Sequence, residues 1–126
     1  MKNGRFYILT ILVFASQVLF AQMEFKTSVS KSNLGVNQRF RIEFSVDKQG
    51  ADNFKPPSFS DFKVVGGPSS SVSQSWINGK VSYSQTYIYI LEPKREGEFI
   101  IEPASIEYDN EIVKSNAVKI TVSKSV

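Results

Sequence analysis

The chain has 126 residues, of which 41% are hydrophobic and 21% charged, and a formal charge of +3. That length accommodates one globular domain of ordinary composition. The sequence contains no cysteine and no histidine, so disulfides, thiol nucleophiles, conventional zinc sites and the usual serine triad are excluded. The composition therefore favours a protein that is not an enzyme and carries no cofactor.

The first residues have the pattern of a secretory signal peptide. Lys2 and Arg5 form a basic n-region, and residues 6–20 are apolar except for three polar side chains. Ala21 is a small residue before Gln22, so cleavage is predicted between them. The alternative is an uncleaved anchor helix, although the apolar stretch is shorter than the ~20 residues that span a bilayer.

Cleavage divides the chain into a signal peptide of residues 1–21 and an exported domain of residues 22–126. The leader removes two of the 15 basic residues, which leaves 13 against 12 acidic residues. No basic cluster with interleaved aromatic residues remains in the domain, and such a cluster is the usual footprint of a nucleic-acid-binding protein. We therefore do not expect nucleic acid to be a partner.

The first half of the domain alternates apolar and polar residues with a period of two, which is typical of β-strands. The pattern is clearest from Arg39 to Val46, where every second residue is apolar, as in a half-buried antiparallel strand. Pro56 and Pro57 then interrupt any strand pairing. The predicted elements here are strands at Met23–Val29 and Arg39–Val46, with turns at Ser32–Gly35 and Asp47–Asn53.

The second half of the domain is also predicted to be made of strands. A short strand at Phe62–Val65 is expected to stop at Gly66, Gly67 and Pro68. Asn78-Gly79 predicts a hairpin, because both turn residues accept positive φ. The strands of this half are predicted at Phe62–Val65, Ser71–Ile77, Lys80–Leu91, Phe99–Ile101, Ile106–Tyr108 and Ala117–Val122, with a turn at Pro93–Gly97.

Seven to nine short antiparallel strands in the 105 residues from 22 to 126 are typical of one fold class. They predict an all-β, immunoglobulin-like β-sandwich preceded by the signal peptide. Such a domain buries roughly two-thirds of the surface of its unfolded chain and can fold without disulfides. The sequence does not specify the order of the strands.

Two motifs with possible chemistry do not fit their context. Ser28 and Lys31 match a Ser-x-x-Lys signature that works on a helix in much larger domains, whereas here the pair lies at the end of a strand. Asp109-Asn110-Glu111 offers oxygen ligands for Ca²⁺ but is more typical of a hairpin turn. We predict no catalytic, metal or cofactor site and no small-molecule substrate.

Trp76 is the strongest candidate for a binding residue, and two interpretations remain open. It lies two residues before the predicted turn in a segment of Ser, Gln and Val. It could cap the core beside Tyr83, or it could be an exposed anchor for a partner, since Trp is enriched in interface hot spots.

An ordered set of short motifs runs through the second half of the chain and resembles a known family. They read Val64-Val65-Gly66-Gly67-Pro68-Ser69, Asn78-Gly79-Lys80, Thr86-Tyr87-x-Tyr89-x-Leu91-x-Pro93, Gly97-x-Phe99-x-Ile101-x-Pro103-Ala104 and Ser115-Asn116-x-Val118-x-Ile120-x-Val122. This set resembles the N-terminal immunoglobulin-like region of the BatD family, also known for oxygen tolerance or Bacteroides aerotolerance. Its turn residues here are Gly66, Gly67, Pro68, Asn78, Gly79 and Gly97.

The resemblance implies a cellular location and a set of protein partners. Family members are membrane-anchored proteins with several such modules outside the cytoplasmic membrane, and they are thought to act with von Willebrand A-type and TPR proteins in envelope stress or aerotolerance. We therefore expect a periplasmic location, or one on the periplasmic face of the membrane. The sequence stops at Val126 with no later hydrophobic segment, so membrane association is expected only through segments absent from it or through partners.

The sequence thus predicts a non-enzymatic, exported interaction module that contacts envelope proteins. The predicted contact residues are Trp76, Tyr83 and Tyr87, beside a sheet edge that could pair with a partner strand. The first alternative is a carbohydrate-binding β-sandwich, in which the same three aromatic residues would form a sugar-stacking platform. The second is a passive spacer domain of a larger envelope protein.

Overall fold

The computed structural model describes residues 23–125, so the predicted signal peptide, with Ala21 and Gln22, lies outside the described residues. No helix in the described range is long and apolar enough to cross a bilayer. The described part of the chain forms ten strands: β1 (Phe25–Val29), β2 (Asn33–Gly35), β3 (Phe40–Val46), β4 (Asp52–Lys55), β5 (Phe62–Ile77), β6 (Lys80–Pro93), β7 (Gly97–Ile101), β8 (Ser105–Tyr108), β9 (Glu111–Lys114) and β10 (Val118–Ser123).

The strands form a β-sandwich, which confirms the predicted fold class. One layer is a four-stranded antiparallel sheet in the order β1-β3-β6-β5, and it packs against two three-stranded sheets, β2-β10-β7 and β4-β8-β9. Short strands beyond the predicted seven to nine account for the count of ten. One of them, β2, occupies part of the expected turn at Ser32–Gly35 and pairs in parallel with β10, so the chain switches sheets between β1 and β2.

The core lies between the inner faces of the two layers. Alternation places Phe40, Ile42, Phe44 and Val46 inward, and each is at most 3% exposed. The Phe44 ring lies 5.5–6.3 Å from three other aromatic rings, those of Phe54, Phe59 and Tyr89. The remaining core residues include Phe25, Leu34, Phe62, Leu91, Phe99, Ile101, Ile106, Ile120 and Val122.

Strand β5 differs from the prediction, because it does not stop at Gly66-Gly67-Pro68. It continues from Phe62 to Ile77, with register shifts against β6 between Val64 and Ser69. Such bulges absorb extra residues without ending the pairing. The absence of a side chain on Gly67 permits the close approach, since a Cβ there would lie 2.5 Å from the Ile88 carbonyl oxygen. Pro68 is tolerated because β5 is an edge strand.

Both predicted hairpin turns are present. Asn78 and Gly79 have φ values of 52° and 77°, which is the type I′ geometry that matches the twist of the flanking strands. Asp109 and Asn110 form the corresponding turn between β8 and β9, also with positive φ. Gly97 has a φ of 140°, and a Cβ there would lie 3.0 Å from the Phe99 ring.

Candidate interaction surface

The β5–β6 hairpin extends beyond the rest of its sheet. Strand β3 pairs with β6 only as far as Val46, which lies opposite Gln85. The hairpin continues from the Ser73–Ser84 pair to the Ile77–Lys80 pair without a third strand. We call residues 73–84 the arm. At ~3.3 Å per residue, its five residue pairs project about 17 Å from the end of the sandwich.

The arm has two chemically distinct faces, because neighbouring strand residues point to opposite sides. The inner face continues the core-facing side of β6, on which Tyr89 and Leu91 are buried. It carries Gln74 and Trp76 from β5 and, directly across, Tyr83 and Val81 from β6, and the Val72–Gln85 pair continues this face below the arm. The outer face carries Ser73, Ser75, Ser82 and Ser84, with Ser75 hydrogen-bonded to Ser82, and ends in the Ile77–Lys80 pair at the turn. Ser71 and Thr86 continue the hydroxyl side chains of this face below the arm.

Trp76 lies at the exposed end of the inner face. Its side chain is opposite Val81 and is 73% exposed, the highest exposure among the large hydrophobic residues of the described range. On the same face, Val72 and Val81 are 61% and 48% exposed. The core-capping interpretation of Trp76 is therefore wrong. The physical reason is that the hairpin runs past the end of the opposing layer, so nothing covers the indole.

Tyr83 and Tyr87 lie on the same face, closer to the sandwich. The Tyr83 hydroxyl donates to Gln85 Oε1 at 3.5 Å. The Tyr87 ring stacks on Phe54, with a centroid distance of 4.0 Å and an interplanar angle of 1°. Burial, followed by the neighbouring Tyr83 and Asp52, raises the pKa of Tyr87 above its ordinary value.

The three predicted contact residues therefore share a face but do not form a compact platform. Tyr87 lies six positions along β6 from Val81, the partner of Trp76, which corresponds to about 20 Å of extended strand. Phe54 also covers one face of the Tyr87 ring. The arrangement is a strip that leads from the sandwich to the tip of the arm.

An open groove lies at the lower end of this strip, between β4 and the base of the hairpin. Its volume is about 460 Å³, and its lining residues are uncharged: Phe54, Pro56, Pro68, Ser69, Ser70, Tyr87 and Tyr89. Burial raises the pKa of the Tyr89 hydroxyl. A second concavity, around Phe59 and Ile101, has a volume of only about 30 Å³, room for about one water molecule. Sequence reasoning did not reveal the groove, because Phe54 and Tyr87 lie 33 positions apart.

The free edge of β5 is unprotected. Exposed edges normally carry charges, bulges or covering segments that prevent pairing with other chains. From Ser69 to Ile77 the register is regular, and no charged residue occurs between Val64 and Gly79. The remaining edge strands, β2, β4, β7 and β9, have at most five residues each.

The opposite edge of the same sheet is strand β1, and a side chain blocks its backbone groups. The Thr27 backbone N–H donates to Asn116 Oδ1 at 2.8 Å, and Asn116 Nδ2 donates to the Thr27 carbonyl oxygen at 3.1 Å. The Asn116 side chain thus occupies both backbone groups that a partner strand would need in the middle of β1. In the sequence, Asn116 is visible only as part of the Ser115-Asn116 motif, and no local pattern signals this role.

The ion pairs among the described residues lie at the surface, and none of their members lines the groove. Four ion pairs connect Arg39 to Glu92, Arg41 to Glu43, Arg95 to Asp61 and Lys119 to Glu98. Within residues 23–125 no group of three or more potential metal ligands comes together. The features available for binding in this range are therefore an uncharged groove, an apolar strip and an open strand edge.

Comparison with known proteins identifies one family. Residues 27–122 match the family model described as the BatD DUF11 like domain. Neither a curated protein nor a solved structure matches the chain.

Proposed function

Because this match covers most of the sequence, the chain belongs to the BatD family, and we propose that it is a non-enzymatic, exported interaction module of the bacterial envelope. Its place is the periplasm or the periplasmic face of the cytoplasmic membrane. It serves envelope stress resistance or oxygen tolerance through protein–protein contacts.

The observation that carries the proposal is the exposure of Trp76 at the tip of the arm. A large aromatic side chain in water gains nothing for folding, whereas burial in a partner would remove its apolar area from solvent. Val72 and Val81, which lie on the same face as Trp76, extend this exposed apolar surface. Contiguous apolar surface of this kind is typical of interaction sites.

The chemistry of the described residues supports a binding role rather than catalysis. The residues that line the groove include no carboxylate, amine or guanidinium. The pKa values of Tyr87 and Tyr89 are raised, so both phenols keep their protons at neutral pH. Protonated phenols can donate hydrogen bonds to a ligand but are poor general bases.

The expected partners are von Willebrand A-type or TPR proteins, as the family resemblance implies. The open edge of β5 offers them backbone hydrogen bonds by β-augmentation, and Trp76 offers an anchor beside that edge. In this contact, the backbone hydrogen bonds would supply affinity, and the aromatic strip would supply selectivity.

Affinity capture tests the proposal. The full chain, with its N-terminus established by mass spectrometry, serves as bait in an envelope extract beside Trp76→Ala and Ile112→Ala. Ile112 is 68% exposed on β9, away from the arm, so its substitution removes a comparable apolar surface elsewhere. We expect a von Willebrand A-type or TPR protein to be retained by the wild-type chain and by Ile112→Ala. Trp76→Ala should retain it at least about tenfold less, as for an interface hot spot.

Three results would each contradict a part of the proposal. Equal retention by Trp76→Ala and the wild-type chain would show that the arm is not the contact surface. Capture of no envelope protein by either chain would favour a passive spacer. Mass spectrometry that finds residues 1–21 still attached would contradict the predicted cleavage.

A further inference from the structure

We propose that the β5 edge pairs with the β5 edge of a second copy of this chain, in an antiparallel dimer centred on Ser73. The inference goes beyond the proposed function: the second copy uses the same edge and the same indole, so it competes with an envelope partner for the arm. Three observations support it: the direction of the backbone groups of β5, the position of Trp76 relative to the groove, and the absence of charge.

The backbone groups that face away from β6 belong to every second residue of β5. In a two-residue type I′ turn, the Ile77 carbonyl oxygen accepts a hydrogen bond from the Lys80 N–H. Hydrogen-bonded and non-hydrogen-bonded pairs then alternate along the antiparallel ladder, whose register is regular from Ser69 to Ile77. The outward N–H and C=O groups therefore belong to Ser70, Val72, Gln74 and Trp76.

A two-fold axis at Ser73 pairs all four of these residues. Ser70 lies opposite Trp76 of the second copy, and Val72 lies opposite its Gln74; each pair occurs twice. Because every antiparallel hydrogen-bonded pair exchanges two bonds, this register forms eight backbone hydrogen bonds. If the axis were at Val72, Trp76 would lie opposite Pro68, which has no N–H to donate. If the axis were at Gln74, Ser70 would have no strand residue opposite it.

The same register brings Trp76 to the groove of the second copy. Trp76 and Ser70 both lie on the inner face, and a two-fold axis perpendicular to the sheet keeps the inner faces of both copies on one side. Trp76 is then opposite Ser70 and diagonal to Pro68, two residues that line the groove. Each indole would be buried in a site lined by prolines and aromatic rings. Because the contact is symmetric, Trp76 and the groove of each copy are both used.

The charge pattern suits pairing of identical strands. Like charges directly opposite one another destabilise a sheet, but residues 65–79 contain no Lys, Arg, Asp or Glu. On the outer face, the axis places Ser73 opposite itself and Ser71 opposite Ser75, so small hydroxyl side chains meet. The joined sheet has eight strands. Strand β1, whose Thr27 backbone groups are hydrogen-bonded to Asn116, lies at both of its ends.

Cysteine cross-linking tests the register, because the chain has no cysteine of its own. Ser73 forms a non-hydrogen-bonded pair with itself, where Cα atoms are about 4.5 Å apart, within the range for a disulfide. Ser71→Cys is the matched control, since the two Ser71 residues lie four positions out of register, about 13 Å apart. Both positions are exposed, so both variants should unfold at the wild-type temperature.

The full chain is used for each measurement. Under mild oxidation we expect Ser73→Cys to form a covalent dimer at least tenfold faster than Ser71→Cys, and a mixture of Ser71→Cys with Ser75→Cys to form the heterodimer. Sedimentation equilibrium should show a concentration-dependent wild-type dimer that Trp76→Ala weakens at least tenfold. A wild-type chain that stays monomeric up to its solubility limit, or equal cross-linking of Ser73→Cys and Ser71→Cys, would overturn the inference.

These outcomes separate the inference from the proposed function. A monomeric wild-type chain that still loses its envelope partner on Trp76→Ala would overturn the dimer and leave the partner-binding role standing. A dimer whose capture of envelope proteins is unchanged by Trp76→Ala would support the inference and overturn the proposed role of Trp76.

Discussion

Ser115 is a buried polar residue that connects three segments of the sandwich. Its side-chain oxygen accepts a hydrogen bond from the Thr27 hydroxyl at 2.7 Å and another from the Ala104 N–H at 2.9 Å. Ser115 and Thr27 are 5% and 3% exposed. Because they lie 88 positions apart in the sequence, this connection helps to fix β1 against the segment between β9 and β10.

Ser115→Ala should lower the stability of the protein without changing its fold. The substitution leaves the Ala104 N–H and the Thr27 hydroxyl buried without an acceptor, so we expect a loss of about 2 kcal/mol in the free energy of unfolding. Urea unfolding followed by circular dichroism provides the measurement. The exposed Ser58→Ala is the control and should change stability by less than about 0.5 kcal/mol; an equal effect of both substitutions would refute the structural role of Ser115.

At the scale of elements, β5 is bonded on one side only. The N–H groups of Ser71 and Ser73 point to β6, whereas those of Val72 and Gln74 point to solvent in a single copy. Amide hydrogens without an acceptor exchange rapidly with solvent, and those in a ladder exchange only when it opens. Hydrogen exchange at single residues therefore reports directly on what pairs with this edge.

We expect the amides of Val72 and Gln74 to gain protection as the protein concentration rises. In dilute solution they should exchange much faster than those of Ser71 and Ser73, because only the latter are bonded to β6. Above the dimer dissociation constant the difference should shrink at least tenfold, which NMR-detected exchange measures for each residue. A Gln74 amide that exchanges equally fast at all concentrations would argue against pairing between copies.

Across the whole molecule, the arm and the last residues of β10 lie at opposite ends of the sandwich. Strand β1 starts at the end with the arm, since Phe25 pairs with Val46, which pairs with Gln85. Strand β10 runs away from the arm, since its residue Val122 pairs with Gly97. Gly97 follows the turn at the end of β6 that is distant from the arm. A partner that covers the arm therefore does not meet the last described residues.

The stability of the whole domain should depend on pH in the alkaline range. The pKa values of Tyr87 and Tyr89 are raised above 10.0 in the folded protein, first of all by burial. The folded state thus holds these protons more tightly than the unfolded state. The contribution of these two tyrosines to the free energy of unfolding is fully present below the pKa of the unfolded chain. It is lost as the pH rises through the pKa values of the folded protein.

We expect the urea midpoint to be steady up to about pH 9 and to fall as the pH rises above about 10. The double variant Tyr87→Phe/Tyr89→Phe, which keeps both rings, should show a smaller decrease. Urea titrations at a series of pH values, at a concentration below that of dimer formation, provide the test. Identical alkaline decreases in both proteins would contradict the assignment to these tyrosines.

The fold was largely predictable from local patterns. The alternation from Phe40 to Val46 predicted a buried face, and Asn78-Gly79 predicted a hairpin; both are confirmed. The expected end of β5 at Gly66-Gly67-Pro68 was wrong, because whether glycine and proline end a strand depends on the neighbouring strand. Here β6 lies close enough to continue the pairing through two bulges.

The sequence by itself determined the all-β class, the positions of the hairpins and the family, because alternation and turn residues act over a few neighbouring positions. The tertiary structure decided the exposure of Trp76, which depends on where the opposing layer ends. It also decided which edge of the four-stranded sheet is open, because Asn116 reaches Thr27 across 89 positions. Contacts over such separations depend on how the layers pack, and a single sequence carries no local signal for them.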